Sequence, residues 1–320
     1  MNKLFALTKN TFVETLRQPV YAVIIIASLL LLFISPSITM YTMMDDNKLL
    51  RELGLSTLFL SSLFIAIFAA SGAIAEEIDN KTITTVLSKP VHRPIFIIAK
   101  FLGVSAAVLL AHYICTIALL MAIRHGVLEA AYIRRDWTVV AATAAGISLT
   151  FLLSAFLNYV YDWKFTSTAI VMLAIIGTLC ITFLFFIDKQ WQFNPANNRI
   201  NTFDIYASIL LFFAVLIILA IAVALSVRFN IVVTLSFCVG IFLLGLISNW
   251  AFGEASHTNI LAKIGFYIVP NLGAFWISDA IYEETAVPAK YILITGLYAI
   301  CYSLAVLGVS IAVFQRRQVG

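Results

Sequence analysis

The sequence predicts an all-α fold, a polytopic membrane helix bundle of about eight transmembrane helices. Two observations predict it. Of the 320 residues, 62% are hydrophobic and only 11% charged, whereas a soluble domain carries about 25% charged residues. The apolar residues also fall into repeated long runs, and a run of about 18 or more with few charges reads as a membrane helix. The net charge of +4 is small and scattered, with no arginine-rich block of the kind that would suit nucleic acid, so no nucleic-acid partner is expected.

Residues 2–18 can form a short basic helix, with Leu4, Phe5, Phe12, Val13 and Leu16 apolar and Lys3, Lys9, Glu14 and Arg17 charged; a disordered basic tail is the alternative. Such a helix suits the plane of the membrane interface, its lysines toward lipid headgroups. Pro19 ends it. Span 1 runs from Val20 to Met44 and contains Pro36, where a kink is expected. It is too long for the h-region of a signal peptide and is read as an uncleaved span. Span 2 covers Leu55 to Ala75, and the polar stretch 76–94 follows. Span 3 is Ile95 to Ile123, span 4 Thr138 to Tyr159, span 5 Ser167 to Ile187, and span 6 Tyr206 to Val227. Arg228-Phe229-Asn230 is a tight turn into span 7, Ile231 to Trp250. Residues 251–288 are mixed and read as an extracytoplasmic segment, with a short helix from Asn271, its N-cap, through Ile281. Tyr267, Trp276, Tyr282 and Tyr291 suit an aromatic belt. Span 8 is Ala289 to Phe314. The whole of 1–320 is read as one transmembrane domain.

Orientation follows the Lys/Arg bias of short loops. With the N-terminus inside, eleven basic residues fall on the cytoplasmic side and nine outside. The inside segments are shorter, so their basic density is higher, and an even span count places both basic termini inside. Arg124, Arg134 and Arg135 oppose this arrangement most strongly.

The chemistry that is missing narrows the function. No GxxxxGK[ST] phosphate loop occurs, so ATP is not expected to bind this chain. No HExxH or GxSxG motif occurs, so no catalytic residues are assigned and the chain is not read as an enzyme. Cys115, Cys180, Cys238 and Cys301 stand singly in apolar runs and are expected to be buried free thiols, with no metal site. Met40, Met43 and Met44 are soft enough for cuprous copper, but apolar filler is the reading taken. His112, the one ionisable side chain deep in a span, is expected to be neutral and hydrogen-bonded to a neighbouring helix. Ion-coupled carriers need charged groups in mid-membrane despite their expense; here those positions are nearly empty of charge.

The stretch 76–94, EEIDNKTITTVLSKPVHRP, is the informative one. Helix hairpins need only about 2–8 connecting residues. Here Glu76, Glu77 and Asp79 carry span 2 into water, and Ile83, Val86 and Leu87 make one apolar face of a short helix ended by Lys89-Pro90. Such a face suits docking onto a cytoplasmic partner; a helix lying on the lipid is the alternative.

The run from Glu76 through Gly103 resembles the segment after the second span in permeases of the type-2 ABC exporter family, through Thr85, Leu87, Ser88, Lys89, Pro90, Val91, Arg93, Lys100 and Phe101. The ending FQRRQVG and the stretch VPNLGAFWISDAI, Val269 to Ile281, are also similar to segments of that family. Gln318 replaces the family's terminal Glu, and spans 4 and 5 look like a hairpin added to a six-span plan. The resemblance implies that 76–94 is a cytoplasmic coupling helix, with Glu76, Glu77, Ile83, Val86, Leu87, Lys89, Pro90 and Arg93 contacting the ATPase. It implies partners: cytoplasmic ABC ATPase subunits, which hold ATP and Mg, a second permease chain, identical or related, and membrane lipid. This chain itself carries no cofactor. The expected function is the transmembrane permease subunit of an ATP-driven ABC exporter in a bacterial cytoplasmic membrane. A non-transport membrane scaffold for an ATPase or an extracytoplasmic maturation complex is the alternative, and an ion-coupled carrier a further one.

Overall fold

Prolines and polar caps set most of the helix boundaries in the computed structural model, which describes residues 3–39, 46–79, 92–127, 136–195, 201–253, 260–277 and 287–316. Among them are eleven α-helices, one 3₁₀ turn and no strand. Helix α1 is Lys3–Leu16. Pro19 starts the next helix, α2 (Pro19–Ile38), where a missing N–H is harmless. Pro36 lies inside α2, and its absent N–H deprives the Leu32 carbonyl of a partner. The Ser35 hydroxyl donates to that carbonyl at 2.8 Å, and the helix runs on to Ile38. The long helices α3 (Asp46–Asp79) and α4 (Arg93–His125) follow.

Asp136 caps α5 (Trp137–Tyr161), accepting from the N–H groups of Thr138 and Val139. Asp162 closes α5 in the left-handed region at φ 56° and turns the chain into α6 (Phe165–Phe186). Helix α7 is Thr202–Ser226. Asn230 caps α8 (Ile231–Leu246), its Oδ1 accepting from the Val233 N–H at 3.1 Å.

Among the described residues, seven helices are long and apolar enough to cross a membrane: α2, α3 as far as Ala75, α4, α5, α6, α7, and the last helix, Ala289–Gln315. The seventh expected span, Ile231 to Trp250, is interrupted. Helix α8 has 16 residues, about 24 Å at 1.5 Å per residue against a hydrocarbon core of about 30 Å. Ile247 then leaves helical geometry before the short α9, Ser248–Phe252. The expected helix from Asn271 to Ile281 is also corrected over 271–277, its remainder lying outside the described residues. A 3₁₀ turn, Gly273–Phe275, stands there, and Trp276 is extended. Tyr298 and Tyr291 in the last helix tie this loop through the Asn271 N–H and the Ala274 carbonyl. A helix not anticipated from the sequence, α10 (Ile260–Ile268), precedes it. The last helix, Ala289–Gln315, is α11.

The chain divides into two compact units. One comprises Met1–Thr15, Ser62–Val108 and Ile209–Gly320; the other comprises Leu16–Ser61 and Leu109–Ser208. Helices α3, α4 and α7 contribute to both and bury most of their residues, whereas α2, α5, α6 and α11 bury fewer than a third. Their outward residues include Phe33, Leu152 and Leu293. A water-soluble surface does not tolerate apolar area on that scale; a bilayer does, because its tails match these side chains.

In the second unit, buried polar groups find partners across helices. His112 Nε2 lies 2.9 Å from the Ser208 carbonyl. A carbonyl only accepts, so this nitrogen carries the proton. The Thr116 and Ser208 hydroxyls meet at 2.7 Å. This is the histidine–helix hydrogen bond expected from the sequence. Arg124 and Asp136 are also both buried, with Nε 3.6 Å from Oδ2. The Arg124 guanidinium further donates to the Thr138 hydroxyl at 3.3 Å and to the Ile187 carbonyl. Arg51 donates to Asp204 at 2.9 Å. The four cysteines are free, as expected, but Cys301 is exposed and Cys180 half-buried, because those helix faces point outward.

Candidate functional site

The first three turns of α4 carry a stripe of Arg93, Phe96, Lys100 and Gly103. The spacings of three, four and three residues place these side chains on one helix face. The His92 carbonyl accepts from the N–H groups of Ile95 and Phe96 and opens the helix. Pro94 falls in the first turn, where it is tolerated. All of the contacts of this stripe described below lie within the first unit.

Arg93 stands at the positive end of α4, an unfavourable place for a cation. It instead reaches the C-terminal end of α11. Its Nη1 donates to the Gln315 carbonyl at 2.8 Å and to the Phe314 carbonyl at 3.3 Å. These are among the last carbonyls of α11, where the C-cap Arg316 N–H also bonds the Phe314 carbonyl, and the helix end carries partial negative charge. The guanidinium also sits 5.8 Å from the centroid of the Phe314 ring. Phe314 is fully buried and stacks on Phe96 with centroids 5.6 Å apart.

Lys100 is 3% exposed. Its ammonium lies 2.6 Å from Glu77 Oε1 and 3.8 Å from Glu14 Oε2, and 5.6 Å from the Phe96 ring centroid. Glu77 lies beyond Ala75, where the apolar span of α3 ends. Burial pushes the Glu77 carboxyl above the usual glutamate value of 4.5, and Lys100 opposes that shift. The nearby ammonium favours the charged form of this carboxylate.

Gly103 takes the same face to α1. A Cβ there would stand 2.6 Å from Thr11 Cβ and 2.8 Å from the Thr8 carbonyl oxygen. Only a glycine admits this approach of two helices. On α1, Thr11, Thr15 and Leu16 are buried, while Lys3, Lys9 and Phe5 are exposed. The basic helix expected at the N-terminus thus docks on the protein through a threonine face.

Of the residues assigned from the sequence, Glu77 and Arg93 are held on this stripe by different partners. Glu76 lies in α3. Ile83, Val86, Leu87, Lys89 and Pro90 lie outside the described residues, as do Met40, Met43 and Met44. The parts that sequence reasoning missed are Glu14, Phe96, Lys100 as a two-carboxylate hub, Gly103 and Phe314. The 3-4-3 spacing on α4 was the available signal. Two stretches noted separately in the sequence, 76–94 and the ending from Phe314, meet here through Arg93. Among the described residues no group of three His, Cys, Asp or Glu is placed to hold a metal ion.

The fold and this junction define a polytopic helical membrane protein in which one helix face ties three others together. Residues 12–161 match the family model for ABC-2 family transporter proteins. That region, just under half of the chain, runs from α1 through α5. Permeases of that family are membrane components without an ATPase domain of their own and generally partner with an ABC ATPase. No curated protein matches the chain.

Proposed function

We propose that this chain is the transmembrane permease subunit of an ATP-driven ABC exporter, worked by separate cytoplasmic ATPase subunits that dock on residues 76–94. The observation that carries the reading is the α4 stripe. Glu77 and Arg93, just before and just after 80–91, are bonded into a junction that also holds α1 and α11. Force applied between them reaches two other helices at once, as a mechanical transporter without its own ATP site requires. The chemistry would be purely conformational: two packings of the bundle, biased by the nucleotide state of the partner. ATP and Mg belong to that partner.

The same reading places the protein in a bacterial cytoplasmic membrane, with both termini inside and a second permease chain completing the pathway. The burial of Arg124 in an ion pair with Asp136 supports this orientation. A cation neutralised inside the fold weighs less in the topology than a free loop cation.

The test is replacement of Val86 and Leu87 by Asp, measured by co-purification with the partner ABC ATPase. The variant inserts in the membrane normally and loses the ATPase. A complex that survives both changes refutes the docking assignment. Vesicles holding the intact complex separate transport from scaffolding. ATP hydrolysis that rises with cargo supports an exporter, and hydrolysis indifferent to every cargo supports the scaffold.

A further inference from the structure

We infer that Arg93 is a positioning residue that carries motion from the first turn of α4 into the C-terminal end of α11, making the last helix a second output of the ATPase stroke. This rests on the reading that an ATPase docks at 76–94. The geometry is specific. Arg93 is the first residue of α4, so it moves with the chain leaving the proposed docking segment. Its guanidinium grips α11 at two successive carbonyls and lies over the ring between them and Phe96.

A link through the far end of a helix transmits differently from a side-by-side packing. Both accepted carbonyls belong to the last turn of α11, and α11 buries fewer than a third of its residues. Tyr291, Tyr298, Tyr302 and Ser303 tie the earlier turns of α11 to other segments, and the Arg93–Phe314–Phe96 clamp is the tie at its C-terminal end. Displacing α4 along its axis drags that end of α11 with it. Without the guanidinium, the Phe96–Phe314 stack remains, an apolar contact that slides without a directional bond. Bonds from a cation to carbonyl oxygens are charge-assisted and directional.

The experiment is hydrogen–deuterium exchange on the intact complex with its ATPase in lipid nanodiscs, comparing nucleotide-free protein with protein trapped by ATP, Mg and vanadate. In the wild type, trapping changes exchange in the first turns of α4 and in the last turns of α11. In Arg93→Ala and Arg93→Gln complexes, compared with wild type at equal ATPase occupancy, the α4 change persists but the α11 change is lost. Arg93→Lys, which keeps a cation able to bond C-terminal carbonyls, restores it. A purely structural role would alter exchange equally in both nucleotide states and leave their difference intact. An α11 response in Arg93→Ala equal to that of the wild type overturns the inference, as does a wild-type complex in which α11 is silent. A wild-type chain that binds no ATPase overturns the docking reading itself, and is told apart by the absent subunit.

Discussion

Removing the Lys100 ammonium tests the junction most sharply, because the consequence depends on pH in a calculable way. In Lys100→Met the stem volume is kept and the charge is lost. Glu77, 17% exposed at its side chain, then has two options. It can remain ionised without its partner, a loss of about 3–5 kcal/mol for a buried pair broken on one side. Or it can take up a proton, which costs about 1.4 kcal/mol for each pH unit above its reference value. From the reference of 4.5, that is about 0.7 kcal/mol at pH 5 and about 4.8 kcal/mol at pH 8. The cheaper option prevails, so the destabilisation is about 1 kcal/mol at pH 5 and about 3–5 kcal/mol at pH 8. Glu14 is half-exposed at 3.8 Å and alters this little.

The sign agrees with linkage. A carboxyl whose folded pKa is raised contributes stability that is fully present below 4.5 and is lost as pH rises through the folded value. Loss of Lys100 removes the influence that lowers that value, so the window of loss moves upward in pH. Thermal unfolding in detergent, followed by tryptophan fluorescence at pH 5 and pH 8, measures it. The gap between wild type and variant widens with pH, and Glu77→Gln in the Lys100→Met background closes most of it. An equal gap at both pH values, or a double variant as unstable at pH 8 as Lys100→Met, refutes the reasoning.

Gly103→Val inserts a side chain where even a Cβ would meet the Thr8 carbonyl oxygen at 2.8 Å. The expected loss is about 1–3 kcal/mol, with faster exchange of the α1 amides as that helix lifts from α4. Asp136→Ala leaves Arg124 buried without its carboxylate and removes the α5 cap, for a loss of about 3–5 kcal/mol. Replacing Arg124 and Asp136 together with Leu and Ser, which keeps a capping hydroxyl, recovers most of that loss in the same unfolding assay. Ser35→Ala strips the Leu32 carbonyl of its hydroxyl donor beside Pro36, worth about 0.5–1.5 kcal/mol, and lowers the unfolding temperature slightly.

Helix positions were legible in the sequence because hydropathy and capping are local. The long apolar runs, Pro19, Asp136 and Asn230 all act within a turn or two of themselves, and α2 to α7 and α11 overlap the expected spans. Failures came where a local signal was overruled by packing. The run from Ile231 to Trp250 is continuously apolar, yet α8 stops at Leu246. There Gly245 is crossed by the loop at Pro270 and Leu272, whose N–H bonds the Gly245 carbonyl at 3.0 Å. Asn271 has the side chain of an N-cap, yet its N–H is taken by the Tyr298 hydroxyl and only a 3₁₀ turn follows.

The charged residues mark the division best. By sequence alone, Lys100, Arg124 and Arg51 are single cations counted toward one side or the other of a membrane. In the structure each is an internal partner, to Glu77, Asp136 and Asp204, the last 153 residues away. The apolar pattern by itself determined that the chain is a membrane helix bundle and where most of its helices run, because transfer from water to lipid is summed residue by residue. Which face of α4 meets α1, α3 and α11 was decided only by tertiary packing. Inside lipid nearly every face is apolar, so the few polar groups must find one another before the register between helices is set.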